Sequence, residues 1–315
     1  MPTAAPQAPP GPGQVRGLTH LAGDLVGIST GLLAYNFAYL ASAWILAIGA
    51  IALFWLEPAW YTFMLAFLVV SSRQQALLNV EHECAHGKFV GSRRGNELIG
   101  TWLSGAAVGS PFAAAQARHL SHHRLLGTAD DPDRHLHNDE APRDSRLGLL
   151  GYFARALLGA YALMVLFDPP EKSVKAGRSP LQMLLPIVVV QAALFAALTP
   201  AFAWWVYPAL WLAPLASLTT LSHLVRSYTE HAISEDERPG HSNRLITIQS
   251  NRLERGIVSP YFMNYHAEHH LLPSVPAPRL PELQGRLGEE ASLPPIIERP
   301  SYAAALRRMF AALKR

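Results

Sequence analysis

The sequence predicts an all-α, polytopic membrane protein, with about four transmembrane helices beneath a cytoplasmic helical cap that holds a histidine-rich metal site. Three observations carry this. Half of the 315 residues are hydrophobic and only 16% are charged, against about 25% in a typical soluble domain. The charges are also segregated: from Gly17 to Ser72 there is no Lys or Arg and the only acids are Asp24 and Glu57, and from Ser179 to Val225 there is no charge at all. Each stretch is long enough for two crossings, since one span takes about 20 apolar residues. Finally, eight of the fourteen histidines fall in three short boxes, His82-Glu83-Cys84-Ala85-His86, His119-Leu120-Ser121-His122-His123 and His266-Ala267-Glu268-His269-His270.

Taken in order, residues 1–17 read as a Pro- and Ala-rich disordered lead with no signal peptide. Residues 18–285 form the membrane unit, and 286–315 a basic C-terminal tail expected to be helical. Leu18 to Leu33 is mildly apolar and suits an interfacial helix. The spans are placed at about 36–56 and 59–78, broken at Glu57-Pro58, and at about 181–198 and 202–224, with a turn at Thr199-Pro200-Ala201. The first box is placed just beyond the second span. Asn96 to Ala117 is rich in small residues and is read as a short or re-entrant helical piece leading into the second box. Gly127 to Asp133 reads as a solvated turn-rich loop, with His135 and His137 exposed. Leu147 to Phe167, carrying Arg155, is read as an amphipathic helix on the membrane surface.

Positive residues favour the cytoplasmic side. The turns between paired spans lack Lys and Arg, so every cation can lie on one face if both termini and the central segment are cytoplasmic, and all three boxes then share that face. On a helix, positions i, i+3 and i+4 lie together, so each box can aim two or three imidazoles at one point. Neutral imidazole suits iron, zinc and copper. Eight histidines are about twice what a tetrahedral zinc site uses, so two metals are the economical reading. His231, just after the last span, is favoured as a ninth over His223, which falls within it. The single cysteine, Cys84, excludes an internal disulfide and an iron–sulfur module and is read as a small buried residue. Nothing in the charge pattern calls for nucleic acid.

The boxes and their surroundings resemble the membrane fatty acid desaturase family, the non-haem di-iron desaturases and hydroxylases with three histidine boxes. The resemblance rests on HECAHG, ARHLSHHRLLGTADDPD, Glu230-His231 and NYHAEHHLLPSVPAPRLPEL, and spans roughly residues 36 to 285. It implies two non-haem irons held by His82, His86, His119, His122, His123, His231, His266, His269 and His270. Some relatives carry an Asn one helical turn before the extra histidine, holding a metal-bound water; here that place is Ser227. Glu83, Glu230 and Glu268 are candidates for orienting imidazoles. The implied reaction uses dioxygen and two external electrons to desaturate an acyl chain drawn from the bilayer. The electrons would come from a separate ferredoxin or cytochrome with its reductase. A hydroxylase or ketolase of a carotenoid or other lipid is the alternative on the same scaffold, with a zinc hydrolase or a haem-binding or metal-transporting membrane protein more remote. A bacterial cytoplasmic membrane is the expected location.

Overall fold

The structure, a computed structural model, describes residues 18–137, 145–162, 179–231, 245–290 and 296–313. The expected lead at 1–17 lies outside them. Four helices are long and apolar enough to cross a membrane. Helices α1 (Thr30–Leu56) and α2 (Trp60–Ala85) hold 27 and 26 residues, each about 40 Å at 1.5 Å per residue, against a hydrocarbon core of about 30 Å. The excess length places the first box. α2 does not end with its apolar stretch. It continues through Ser71, Ser72, Gln74, Gln75 and Asn79, which are buried against other elements, and carries His82 in its last turns. The first box therefore lies on the same helix as the second span, just past its apolar stretch, and the polar run leading to it packs against protein.

The interfacial helix expected before the first span is a single turn, Thr19–Ala22. α1 then starts at Thr30, where the Ser29 hydroxyl accepts the Leu32 N–H at 3.2 Å. That cap, a strong helix-start signal, moves the span's beginning upstream of the expected position.

Helix α3 (Arg93–Val108) changes character along its length. It begins as α-helix, widens to a π-helix at Ile99–Ser104 and tightens to a 3-10 turn at Gly105–Val108. The chain then bends by 98° into α4 (Phe112–Leu125), which carries the second box. Two glycines permit this. Gly109 turns the chain at φ +71°, and a Cβ on Gly105 would stand 2.5 Å from a Glu81 carboxylate oxygen and 2.8 Å from the Gly100 carbonyl. The carbonyls exposed by the bend are satisfied from two other helices. Gln191 Nε2 donates to Ala106 O and Ala107 O at 2.8 and 2.9 Å, and Trp211 Nε1 donates to Ala107 O at 3.1 Å.

α5 (Arg146–Leu157) buries Leu149, Tyr152 and Ala156 and leaves Leu147, Leu150 and Leu157 exposed. The part of the expected surface helix past residue 162 lies outside the described residues. α6 (Pro180–Ala201) opens with a Ser179–Gln182 capping box and Pro180 in its first turn, and among its residues only Leu198 is buried. An apolar helix exposed all round is one built to face lipid. Pro200 does not turn the chain: it is the penultimate residue of α6, and the helix closes at Phe202, whose N–H bonds to Leu198 O. α7 (Pro208–His231) follows, with π-helical stretches at Pro208–Leu212 and Leu215–Thr219. α2 and α7 are each the returning helix of a hairpin, so both deliver their C-terminal turns to the same face.

The rest of the chain covers that face. Short helices α8 (Arg252–Ile257), α9 (His266–Leu271), α10 (Leu280–Glu289) and α11 (Tyr302–Ala312) are joined by a small departure from an all-α fold. Strands β1 (Ile246–Ile248) and β2 (Ile297–Arg299) pair in parallel, Ile246 opposite Ile297. The expected basic tail is packed structure. Tyr302, Ala305 and Met309 of α11 join Leu149, Tyr228 and Ile246 in a second apolar core.

Candidate metal centre

The box spacing decides which imidazoles meet. In each H-x-x-H-H box the i and i+4 residues lie close to one line on the helix, and the i+3 residue is rotated to its side. In α4, His119 and His123 turn one way and His122 the other. In α9, His266 and His270 turn together and His269 opposes them. The helices meet so that each sends its pair to a different group. His82, His86, His119, His123 and His269 bring ligand atoms within 4.8 Å of one another. His122, His231 and His270 form a second such group. His266 joins it, its Nε2 lying 2.8 Å from that of His231 and 3.1 Å from that of His270. All nine histidines singled out from the sequence thus stand in two groups, of five and four. The stacked rings of His123 and His270, 4.0 Å apart between centroids, form the seam between them.

The ring nitrogens converge in a way that neutral imidazoles alone do not explain. Six Nε2–Nε2 pairs lie 2.7 to 3.3 Å apart. Both ring nitrogens of His82 are buried with no hydrogen-bond partner, a state that costs stability unless something else binds them. Burial holds His266, His269 and His270 well below the usual histidine range, and His86, just past α2, down to about 4. These rings are therefore neutral at physiological pH, with lone pairs aimed inward. A donor set of neutral imidazoles with orphaned buried nitrogens fits first-row transition metals.

The groups differ in their surroundings. His122 Nδ1 lies 2.9 Å from Asp131 Oδ1, and both residues are buried. That contact places the ring proton on Nδ1 and leaves Nε2 to face the group. Asp131 comes from the loop expected to be solvated, and His137, expected to be exposed, is 1% exposed, its Nδ1 3.9 Å from Asp131 Oδ2 and its ring 5.0 Å from that of His231. His135 is half-buried. The loop is turn-rich, as its sequence says, but it folds inward because Asp131 finds a buried histidine. The partner is only nine residues away, but nothing in the local sequence marks it as buried beside the loop.

The glutamates beside the boxes divide. Glu230 Oε2 lies 3.5 Å from His266 Nδ1 and 3.1 Å from Arg226 Nε. Glu268 accepts from the Thr247 hydroxyl of β1, and burial pushes its carboxyl up to about 7. Glu83 is engaged elsewhere: it accepts the Ala277 N–H at 2.9 Å, tying α2 to the segment after the third box. No hydrogen bond or ion pair joins Ser227 to a histidine among the described residues. His223 is in neither group, and Cys84 is buried and free. Among the described residues no carboxylate lies within ion-pair reach of the five-histidine group.

The fatty acid desaturase family model matches residues 58–297, which includes all three boxes and both groups. A beta-carotene ketolase from Paracoccus sp. is 27% identical over 243 residues, covering 76% of this chain and 87% of its own. A second beta-carotene ketolase, from another Paracoccus strain, is 27% identical over 213 residues, covering 65% of this chain and 72% of its own.

Proposed function

The chain belongs to the fatty acid desaturase family, and on that footing we propose that it oxidises an unactivated methylene of a long apolar substrate drawn from the bilayer. It is an integral membrane protein with histidine clusters suited to non-haem iron, and its family and relatives mark an oxygen-dependent oxidoreductase. The observation that carries the proposal is the sorting of nine histidines into groups of five and four. We assign one iron to each: His82, His86, His119, His123 and His269 would hold the first, and His122, His231, His266 and His270 the second. Bound there, the irons would supply dioxygen activation with two external electrons.

The chain's own residues do the rest. Asp131 holds His122 in the tautomer that offers Nε2. Glu230 Oε2 faces His266 Nδ1 from a longer distance, 3.5 Å. The outer elements bury His122, His231, His266 and His269, and α6, with only Leu198 buried, faces lipid. With two electrons and two protons, one dioxygen converts CH₂–CH₂ to CH=CH and two waters, or CH₂ to CHOH and one water; a second oxidation of that carbon leads to a ketone.

Two substrates are in view. Similarity to beta-carotene ketolases across most of their length supports oxygenation of a carotenoid ring methylene, and this is the reading we place first. The family match supports desaturation of a fatty acyl chain as the second. A separate ferredoxin or cytochrome would deliver the electrons, and we place the site on the cytoplasmic face of a bacterial inner membrane. Expression in carotenoid-producing cells with paired carotenoid and fatty-acid profiling tests this. A new keto-carotenoid with unchanged acyl chains supports the first reading, a new double bond in the acyl lipids supports the second, and neither product in iron-replete, aerated cells overturns both.

A further inference from the structure

We propose that the C-terminal helix is part of the metal centre, with Tyr302 acting as a positioning residue for the four-histidine group; this rests on the iron assignment above. Tyr302 lies past residue 297, where the family match ends. Its side chain is buried and reaches inward from α11. The Tyr302 hydroxyl donates to Glu230 Oε1 at 2.6 Å. The other oxygen, Oε2, faces His266 Nδ1 at 3.5 Å. Both of those facing atoms are buried, and neither has a hydrogen-bond partner. A carboxylate gripped at one oxygen by a phenol, with its other oxygen shared between Arg226 Nε at 3.1 Å and the unpartnered ring nitrogen, is set to take the Nδ1–H of His266. That fixes the tautomer in which His266 presents Nε2 to His231 and His270.

The same segment has a second grip on the site. β2 pairs with β1, and Thr247 of β1 holds Glu268 inside the third box. α11 is seated by the Ser301 cap and by Arg146, whose Nε donates to Phe310 O at 3.1 Å. It is therefore fixed well enough for one hydroxyl to set a carboxylate. Groups that hold a metal's ligands from outside affect metal affinity by about 10- to 100-fold when removed.

The test uses full-length protein purified in detergent after growth on iron-57, with iron counted per chain, chelator resistance measured and Mössbauer spectra recorded. Tyr302→Phe keeps the ring and removes only the donor. The expected result is that one of two irons becomes about tenfold or more easier to extract and its doublet changes, with the other unaltered. Glu230→Gln should do the same, and adding Tyr302→Phe to it should change nothing further, because the phenol acts through that carboxylate. Met309→Ala loosens the same apolar core without touching the polar link and should keep both irons at wild-type affinity. If wild type holds two irons and Tyr302→Phe matches it, or if Met309→Ala mimics it, or if its effect persists in Glu230→Gln, the role of Tyr302 is overturned and the iron assignment stands. If wild type holds no pair of non-haem irons, the proposed function falls, and this inference with it.

Discussion

The five-histidine and four-histidine groups share the second and third boxes yet are completed and supported differently. The first is completed by the long helix α2. His82 and His86 come from the end of α2, and the rest come from α4 and α9. Among the described residues no acid approaches it, and its rings are held by packing against one another. The second receives one residue from α7 and is braced from outside by Asp131 and Glu230, themselves fixed by a loop and by the C-terminal helix. Anionic partners on ring nitrogens make imidazoles stronger donors. On the proposed assignment the two irons would be inequivalent, the four-histidine one with more electron-rich ligands.

The sharpest way to break that comparison is to remove one ligand from each group. His269→Ala and His266→Ala should each abolish product formation. Each should also leave about one tightly bound iron per chain, with a different Mössbauer doublet surviving in the two variants. If both variants lose both irons equally, the groups are one site and the division fails.

Asp131→Asn probes the brace alone. It leaves the bulk in place and removes the charge, so His122 loses its fixed tautomer. Iron at the four-histidine position should bind about 10- to 100-fold more weakly, as read by competition with a chelator, while the five-histidine iron is unaffected.

A pH titration sharpens the comparison further. His86 is depressed to about 4 in the folded state from the usual value near 6.5. An unfolded chain takes up protons there below about pH 6.5 and the folded chain does not, so stability is full above that pH and is lost as pH falls toward about 4. Protons also compete for the lone pairs that hold metal. Thermal melts of the apo protein should fall over that window, and bound iron should be released in it.

The smallest effect expected is that of Gly105→Ala. The added methyl meets the Glu81 carboxylate and the Gly100 carbonyl, so α3 must shift against the stem of the first box. Overpacking of this kind costs about 1–3 kcal/mol. The melting temperature should drop with both irons retained, the loss being of packing and not of ligands.

What could be read from the sequence follows from the range of the interactions concerned. The boxes were legible because i, i+3 and i+4 spacing is local, and the four spans because charge is absent over long stretches. His231 was legible as the first histidine after a span. Asp131 and His137 were not: a short loop rich in Asp and Pro looks the same whether it faces water or a buried imidazole 2.9 Å away. Tyr302 gave no local signal either, since its partner Glu230 is 72 residues distant. Nor was the packing of the polar end of α2 legible. Gln74 and Asn79 look like an exit from the membrane until their bonds to Trp211 O and Pro260 O are seen.

The most direct test of the central claim is metal content and Mössbauer spectroscopy on wild-type protein purified in detergent after growth on iron-57. The expected result is about two non-haem irons per chain and, in the reduced state, two distinguishable high-spin ferrous doublets of equal weight. One zinc per chain, a single iron with one doublet, or haem in place of non-haem iron would contradict it.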